Sequence, residues 1–191
     1  GQVTLVTKRA HGWWRDPDIA HLVDKAGAED MGIILMVRDP RDVLLSAHGA
    51  DPKSSAYVSP LHWARSIRAG AALERRLDEG TAFMILRYED LVTAPEETGA
   101  RIAARFGLTL RAGSPGFAAV GHNLAASGAV IDDYLVDAMH GVRTISGASV
   151  GKWRERSEDP AAALVADPDT APLISAFCGR HDYAGPEPTS M

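Results

Sequence analysis

The chain has 191 residues, of which 46% are hydrophobic and 24% are charged, and its formal net charge is −5 at pH 7. This length suits one domain spanning residues 1–191, and the balanced composition excludes a wholly disordered or collagen-like chain. Because the net charge is negative, no overall basic field draws the chain to nucleic acid or to an anionic membrane. Any phosphate group must therefore be bound by local groups.

Cys178 is the single cysteine of the chain. It excludes an intramolecular disulfide framework and fits a reducing compartment. It lies in an amphipathic helical pattern, which favours core packing over nucleophilic chemistry. No apolar run approaches the roughly 20 residues of a membrane-spanning helix, and no charged-then-apolar leader opens the sequence. We therefore expect no membrane span and a cytoplasmic location.

The first half of the sequence alternates predicted strands and helices. A β-branched strand covers residues 3–7, and a helix whose apolar residues recur at helical spacing ends at Gly27. Residues 33–37 form a continuously apolar run that is rich in β-branched side chains. Such a run predicts a strand buried on both faces, as in a parallel sheet.

The second half continues the alternation. Ser59 is a predicted N-cap for a helix over residues 60–80, and residues 82–87 predict a further strand. Thr93-Ala-Pro-Glu96 resembles a capping box before a helix that Gly107 ends. Further helical segments are predicted at residues 117–124, 130–139, 160–166 and 171–179. Strands alternating with helices indicate βαβ units and a mainly parallel sheet.

The turn after residues 33–37 carries the first candidate site. Arg38 stands where the strand ends, Asp39 can cap the next helix, Pro40 suits its first position, and Ser46 falls within its opening turns. Ligands of open α/β sheets bind beyond the carboxyl ends of strands, where an arginine and a serine can hold a phosphate. The string Arg38-Asp-Pro-Arg-Asp42 is also compatible with a surface cluster of weak ion pairs.

Three segments in order resemble the sulfotransferases that use 3'-phosphoadenosine 5'-phosphosulfate (PAPS), in their bacterial form. They are Arg38-Asp-Pro-Arg-Asp-Val-Leu-Leu-Ser46, Leu86-Arg-Tyr-Glu-Asp-Leu91 and Ser149-Val-Gly-Lys-Trp-Arg154. The segment Ile174-Ser-Ala-Phe-Cys-Gly-Arg-His-Asp-Tyr183 is similar to the closing helix of bacterial members. The resemblance implies an α/β, P-loop-NTPase-like three-layer fold, with a mainly parallel central sheet flanked by helices.

The resemblance also implies a donor site. Arg38 and Ser46 would bind the 3'-phosphate of PAPS, and Tyr88 would lie near the adenine, although a structural aromatic at a strand end is an equal alternative. Four further residues would close over the 3'-phosphate: Ser149, Gly151, Lys152 and Arg154. Animal members carry Arg-Lys-Gly before this segment, where this chain has Ser146, Gly147 and Ala148. Either hydroxyl and backbone donors would substitute for the Arg-Lys-Gly, or Arg143, Lys152 or Arg154 would supply the charge.

His11 is the candidate general base and Lys8 the candidate charge-stabilising residue, by the same resemblance. A neutral imidazole can accept the proton of an acceptor hydroxyl, and an ammonium can stabilise charge on the transferring group. One more residue separates Lys8 from His11 than in the animal pattern, and a hydrogen-bonding loop histidine is the alternative. The other histidines show no metal-ligand spacing, so no metal is expected.

The family's glycine-containing phosphate loop has no counterpart in this sequence. Residues 51–55, the nearest string, follow a helix and lack the glycine. The fold is therefore expected to be N-terminally incomplete, without its first strand, phosphate loop and first helix, and the chain to be truncated or weakly active.

The implied reaction moves a sulfuryl group from PAPS to a hydroxyl or amine and leaves 3',5'-adenosine bisphosphate. The expected partners are a small-molecule or glycan acceptor, with no nucleic acid, and a homodimer is left open. Two alternatives stand beside the enzyme. One is a non-catalytic nucleotide-binding or scaffold protein of the same fold, and the other is another nucleotide-dependent transferase, such as a kinase.

Overall fold

A computed structural model describes residues 15–29, 31–46, 58–109, 147–156 and 167–183. The chain divides into two compact units, residues 1–85 with 151–191 and residues 86–150. Several predictions lie outside the described residues: the strand at 3–7, the helices at 117–124, 130–139 and 160–166, Lys8, His11 and the string at 51–55. The prediction of a single domain stays a prediction.

The described residues contain six α-helices, two strands and two short 3-10 helices. In chain order they are α1 (Asp16–Ala28), β1 (Ile33–Val37), α2 (Pro40–Leu44), α3 (Pro60–Arg76), β2 (Phe83–Arg87), α4 (Tyr88–Thr93), α5 (Pro95–Phe106), the 3-10 helices Gly147–Ser149 and Lys152–Arg156, and α6 (Ala171–Arg180).

Strands β1 and β2 pair in a small parallel sheet, and two helices lie between them in the sequence. At the start of the ladder the N–H of Ile33 donates to the carbonyl of Ala82 at 2.8 Å. The predicted strand, helix and parallel strand are therefore confirmed for this pair, and the fold is of the mixed α/β kind. A three-layer arrangement stays a prediction.

The prediction that β1 is buried on both faces is wrong. Ile34 and Met36 are 42% and 46% exposed, whereas Val37 is 7% exposed. Side chains alternate along a strand, so residues 33, 35 and 37 share the covered face. Helix α3 lies close on that face, because a Cβ on Gly70 would meet Leu35 Cδ2 at 3.1 Å. An apolar run alone does not reveal that only one face is covered.

Helix boundaries agree with the predicted caps at most ends. The Ser59 Oγ accepts the N–H of His62 at 3.3 Å, which confirms it as the N-cap of α3. Helix α3 ends at Arg76, earlier than predicted, because Leu77 is extended and Gly80 belongs to the turn that precedes β2. Gly27 lies inside α1, which continues to Ala28.

The first unit has two apolar clusters. One joins α2, α3 and α6, and its buried members are Val37, Leu44, Trp63, Ile174, Phe177, Cys178 and Tyr183. The other lies where α1 packs on α3, and its buried members are Ile19, Ala69 and Leu73. Leu44 is fully buried, so the short helix α2 is held mainly by this packing.

The second unit is built around α4 and α5. Thr98 is 1% exposed, and its Oγ1 donates to the carbonyl of Asp90 at 3.0 Å. Helix α5 ends at Gly107 with a φ of 62°, as predicted. The capping box at Thr93 is wrong, because its Oγ1 donates back to the carbonyl of Glu89 at 2.7 Å and Ala94 is the N-cap residue.

Cys178 packs in the apolar core, as its helical pattern predicts. It is 5% exposed, and burial raises the pKa of its thiol, although the charge of Arg41 opposes the rise. Within the described part of the chain, no helix combines the length and apolarity needed to cross a bilayer.

The raised pKa of Cys178 predicts a loss of stability at alkaline pH. Above the thiol pKa of the unfolded chain, about 8.5, the unfolded state loses a proton that the folded state still holds, so the free energy of unfolding falls as pH rises. Urea titrations from pH 7 to 10 measure this slope. Cys178→Ser should flatten it, and an equal slope in both proteins would contradict the prediction.

Candidate functional site

The end of β1 is joined to α2 by a turn whose first acidic residue caps the helix. The Asp39 Oδ1 accepts the N–H of Arg41 at 2.9 Å, and Pro40 stands at the first helical position. Both features follow from the residue types, because a carboxylate satisfies a free helix N–H and proline lacks one. The predicted cap is confirmed.

Asp39 also forms a buried ion pair with Arg41. The guanidinium donates from Nε to Oδ1 at 2.9 Å and from Nη2 to Oδ2 at 2.7 Å. Arg41 is 3% exposed and Asp39 is 6% exposed. Burial lowers the pKa of Arg41, but the hydrogen bond and charge of Asp39 outweigh it, so its pKa is raised. Because both residues are buried, the alternative of weak surface ion pairs in this turn is wrong for Asp39 and Arg41.

Asp42 connects α2 to a segment more than one hundred residues further along the chain. Its Oδ2 accepts the N–H of Gly151 at 2.7 Å, and its Oδ1 accepts the N–H of Trp153 at 2.9 Å. Asp42 is 3% exposed, so these charge-assisted hydrogen bonds are shielded from water. Sequence reasoning missed this role, because no local pattern pairs residues 42 and 151.

The indole of Trp153 contacts two guanidinium groups. The Arg41 Cζ lies 4.0 Å from the ring centroid, and the Arg154 Cζ lies 4.7 Å from it. Both distances are within the range of cation–π attraction. Arg41 is buried and Arg154 is exposed, so the ring links an internal cation to a cation at the surface.

Gly151 has a backbone conformation that favours glycine. Its φ is +74°, and a Cβ built on it would lie 2.6 Å from Nη1 of Arg154. The guanidinium of Arg154 thus lies over the bare Cα of Gly151. Since the Gly151 N–H already donates to Asp42, its contribution in this structure is conformational: it permits the turn and leaves room for Arg154.

Gly151→Ala should destabilise the protein by about 1–3 kcal/mol, because the new residue keeps a positive φ and displaces Arg154. Urea unfolding measures the loss. Gly80→Ala is the matched control, since a Cβ there has nothing within 4 Å, and it should change stability by only a few tenths of a kcal/mol. Equal effects of the two substitutions would contradict the role given to the Gly151 turn.

Ser46 lies beyond the end of α2. The prediction placed it within the opening turns, but the helix ends at Leu44. Its Oγ donates to the carbonyl of Asp42 at 2.6 Å, and its N–H donates to the carbonyl of Val43 at 3.2 Å. The hydroxyl thus takes the carbonyl that the next helical N–H would use, which helps to end the helix. To donate to a phosphate, this hydroxyl must leave that carbonyl.

The second unit brings two predicted site residues together. Tyr88 is the first residue of α4, directly after β2, and Ser149 ends the first 3-10 helix. Their hydroxyl oxygens are 3.1 Å apart, with either group as the donor. The structure therefore places a predicted adenine-binding residue in contact with a predicted phosphate-binding residue, although 61 positions separate them in the sequence.

The comparison with family models gives a match to one part of the chain. Residues 22–112 match the model of the sulfotransferase family. This segment is similar to the sulfotransferases. The resemblance to sulfotransferases is thereby confirmed through the two motifs that lie in this segment, residues 38–46 and 86–91. Neither the curated proteins nor the solved structures gave a match.

The sulfotransferase segment contains part of the predicted site. Arg38, Ser46 and Tyr88 lie within the matched residues. Arg38 directly follows the last residue of β1 and is half-buried. The predicted residues that close over the 3'-phosphate lie after the matched segment, and the contacts of Asp42 join that later segment to the sulfotransferase motif.

Lys152 and Arg154 are the exposed cations of this later segment. No carboxylate among the described residues forms an ion pair with Arg154. The described residues also contain no group of histidine, cysteine and acidic side chains that could hold a metal ion. Lys152 and Arg154 present an ammonium and a guanidinium, groups that bind phosphate and sulfate oxygens.

Proposed function

We propose that the chain binds PAPS and transfers its sulfuryl group to a hydroxyl or amine of a small-molecule or glycan acceptor. The family match to residues 22–112 is the observation that carries this proposal. It is supported by the placement of Arg38 at the carboxyl end of β1, the usual position for ligand-binding residues in α/β sheets. The buried pair and the Asp42 contacts add a rigid support to this turn.

The donor would be recognised by its 3'-phosphate. Arg38 would present a planar guanidinium to the phosphate oxygens, and Ser46 would add a hydroxyl after breaking its bond to the Asp42 carbonyl. Tyr88, hydrogen-bonded to Ser149, would lie against the adenine. Lys152 and Arg154 would supply charge in place of the Arg-Lys-Gly of animal members.

The transfer itself would be an in-line displacement. The acceptor oxygen or nitrogen forms a bond to sulfur, the bond from sulfur to the 5'-phosphate oxygen breaks, and 3',5'-adenosine bisphosphate leaves. His11 would accept the acceptor proton, and Lys8 would stabilise charge on the sulfuryl group. A reducing, cytoplasmic setting is part of the proposal and is supported by the unpaired, buried Cys178.

Arg38→Ala should weaken binding of 3',5'-adenosine bisphosphate by about 10- to 100-fold, because charged hydrogen bonds to the 3'-phosphate are lost. Isothermal titration calorimetry measures the two dissociation constants. Arg68→Ala, which removes an exposed arginine from α3, is the matched control and should bind like the parent.

Two results would contradict the proposal. Equal binding by Arg38→Ala and the parent would remove Arg38 from the donor site. Binding of ATP with Mg²⁺ in place of the bisphosphate would favour the kinase alternative. Transfer of labelled sulfate from PAPS, measured against a panel of phenol, sugar and amine acceptors, then tests the reaction separately from donor binding.

A further inference from the structure

The segment at residues 151–154 is held to α2 from two sides. Asp42 binds its main chain through the N–H groups of Gly151 and Trp153. Arg41, fixed by Asp39, supports the indole of Trp153 from beneath the surface. Main chain and ring are therefore both attached to the helix that begins at the sulfotransferase motif.

Arg154, one of the two exposed cations of the segment, is positioned by these contacts. Arg154 packs on Trp153 and lies over Gly151, where no side chain intervenes. A free arginine on a surface loop samples many rotamers and loses that entropy on binding an anion. Arg154 has already lost much of it, because the ring and the turn restrict its position.

The carboxylate of Asp42 supports an anion-binding group, although its own charge is negative. Considered only as a charge, an acidic group close to an anion site weakens anion binding. Its two hydrogen bonds instead fix the peptide groups that carry the cation. Both main-chain donors are occupied, so the Gly151 and Trp153 N–H groups are not offered to the donor. The side chains of Lys152 and Arg154 remain, and Arg154 is the one that packs on Trp153 and Gly151.

We infer that Asp42 is a positioning residue that holds Arg154 in place to bind the 3'-phosphate of the donor. This inference rests on the proposed function. It makes Arg154 the substitute for the missing Arg-Lys-Gly and makes its action dependent on a carboxylate about 110 positions earlier. Selectivity for a nucleotide with a 3'-phosphate should therefore depend on Asp42.

Binding of two nucleotides that differ only in the 3'-phosphate distinguishes a positioning role of Asp42 from a general effect on the stability of the protein. Calorimetry with 3',5'-adenosine bisphosphate and with adenosine 5'-monophosphate gives a ratio of affinities for each protein. Asp42→Asn keeps the volume but loses one of two strong acceptors, and we expect the bisphosphate affinity to fall about 10-fold with the monophosphate affinity unchanged. Arg154→Ala should give the same selective loss.

The double variant Asp42→Asn with Arg154→Ala should lose no more than Arg154→Ala alone, because the two residues would act as one unit. Asp16→Asn is the control, since it removes one charge of the surface pair with Arg76 and should leave the ratio unchanged. If Asp42→Asn does not fold, Gly151→Ala, which displaces Arg154 while keeping Asp42, should reproduce the selective loss.

The outcomes distinguish this inference from the proposed function. If the parent binds neither nucleotide, the proposed function fails, and the inference with it. If the parent selects the bisphosphate and Asp42→Asn is equally selective, or gains affinity for it, only the positioning role is overturned. An equal loss for both nucleotides would make Asp42 a structural residue without a role in selectivity.

Discussion

Asp39→Ala should lower the free energy of unfolding by about 3–5 kcal/mol, because it removes the carboxylate that the buried guanidinium of Arg41 hydrogen-bonds. Two side-chain hydrogen bonds and the cap of α2 disappear in the same substitution. The pKa of an arginine side chain lies so far above neutral that the buried guanidinium keeps its charge in the variant. Urea unfolding monitored by circular dichroism measures the loss.

A surface pair provides the comparison for this prediction. Asp16 is 75% exposed at its side chain and pairs with Arg76 at 2.8 Å, so Asp16→Ala should cost less than about 1 kcal/mol. Asp39→Asn should lie between the two alanine variants, since its amide oxygen still caps the helix while the charge is lost. A loss for Asp39→Ala as small as that for Asp16→Ala would show that Arg41 finds another partner or reaches water.

The parts of the fold that the sequence predicted are those set by neighbouring residues. Asp39, Pro40 and Ser59 determine helix starts through their own hydrogen-bonding chemistry, and Gly107 determines a helix end through its positive φ. Each acts within about four positions, so a single stretch of sequence contains the whole cause. The pairing of β1 with β2 followed from the alternation of strand and helix patterns.

The parts that sequence reasoning missed depend on residues far apart in the chain. Exposure of Ile34 and Met36 depends on which helices pack on the sheet, and the strand itself carries no sign of it. The partners of Asp42 are 109 and 111 positions away. The motif sequence shows that Asp42 lies close to Arg38 in the chain, but it does not show that the Asp42 carboxylate binds distant main-chain N–H groups.

Ser46 illustrates a conflict between two local rules. The cap at Asp39 and the proline at residue 40 predict a helix that includes Ser46, but a hydroxyl near a helix end also competes for main-chain carbonyls. In the structure the second effect prevails, and α2 has only five residues. The sequence spacing from Arg38 to Ser46 still matches the family motif, but Ser46 is not in the helical conformation that was expected.

The terminal helix gives a final prediction with a large effect. Phe177 is 6% exposed, and its ring lies 5.7 Å from Trp63 edge-on and 6.1 Å from Tyr183 in a stacked arrangement, measured between ring centroids. Phe177→Ala should lower the free energy of unfolding by about 3–5 kcal/mol, because transfer and cavity terms add. Urea unfolding measures this loss.

Leu173→Ala on the same helix is the control for Phe177→Ala, since Leu173 is 41% exposed and its truncation should cost about 0.5 kcal/mol or less. Similar losses for the two variants would mean that α6 does not pack as described. Phe177 shares its cluster with Leu44 of α2 and is not one of the proposed phosphate-binding residues. Below its melting temperature, Phe177→Ala should therefore keep the parent's preference for the bisphosphate over the monophosphate, the quantity that Asp42→Asn should change.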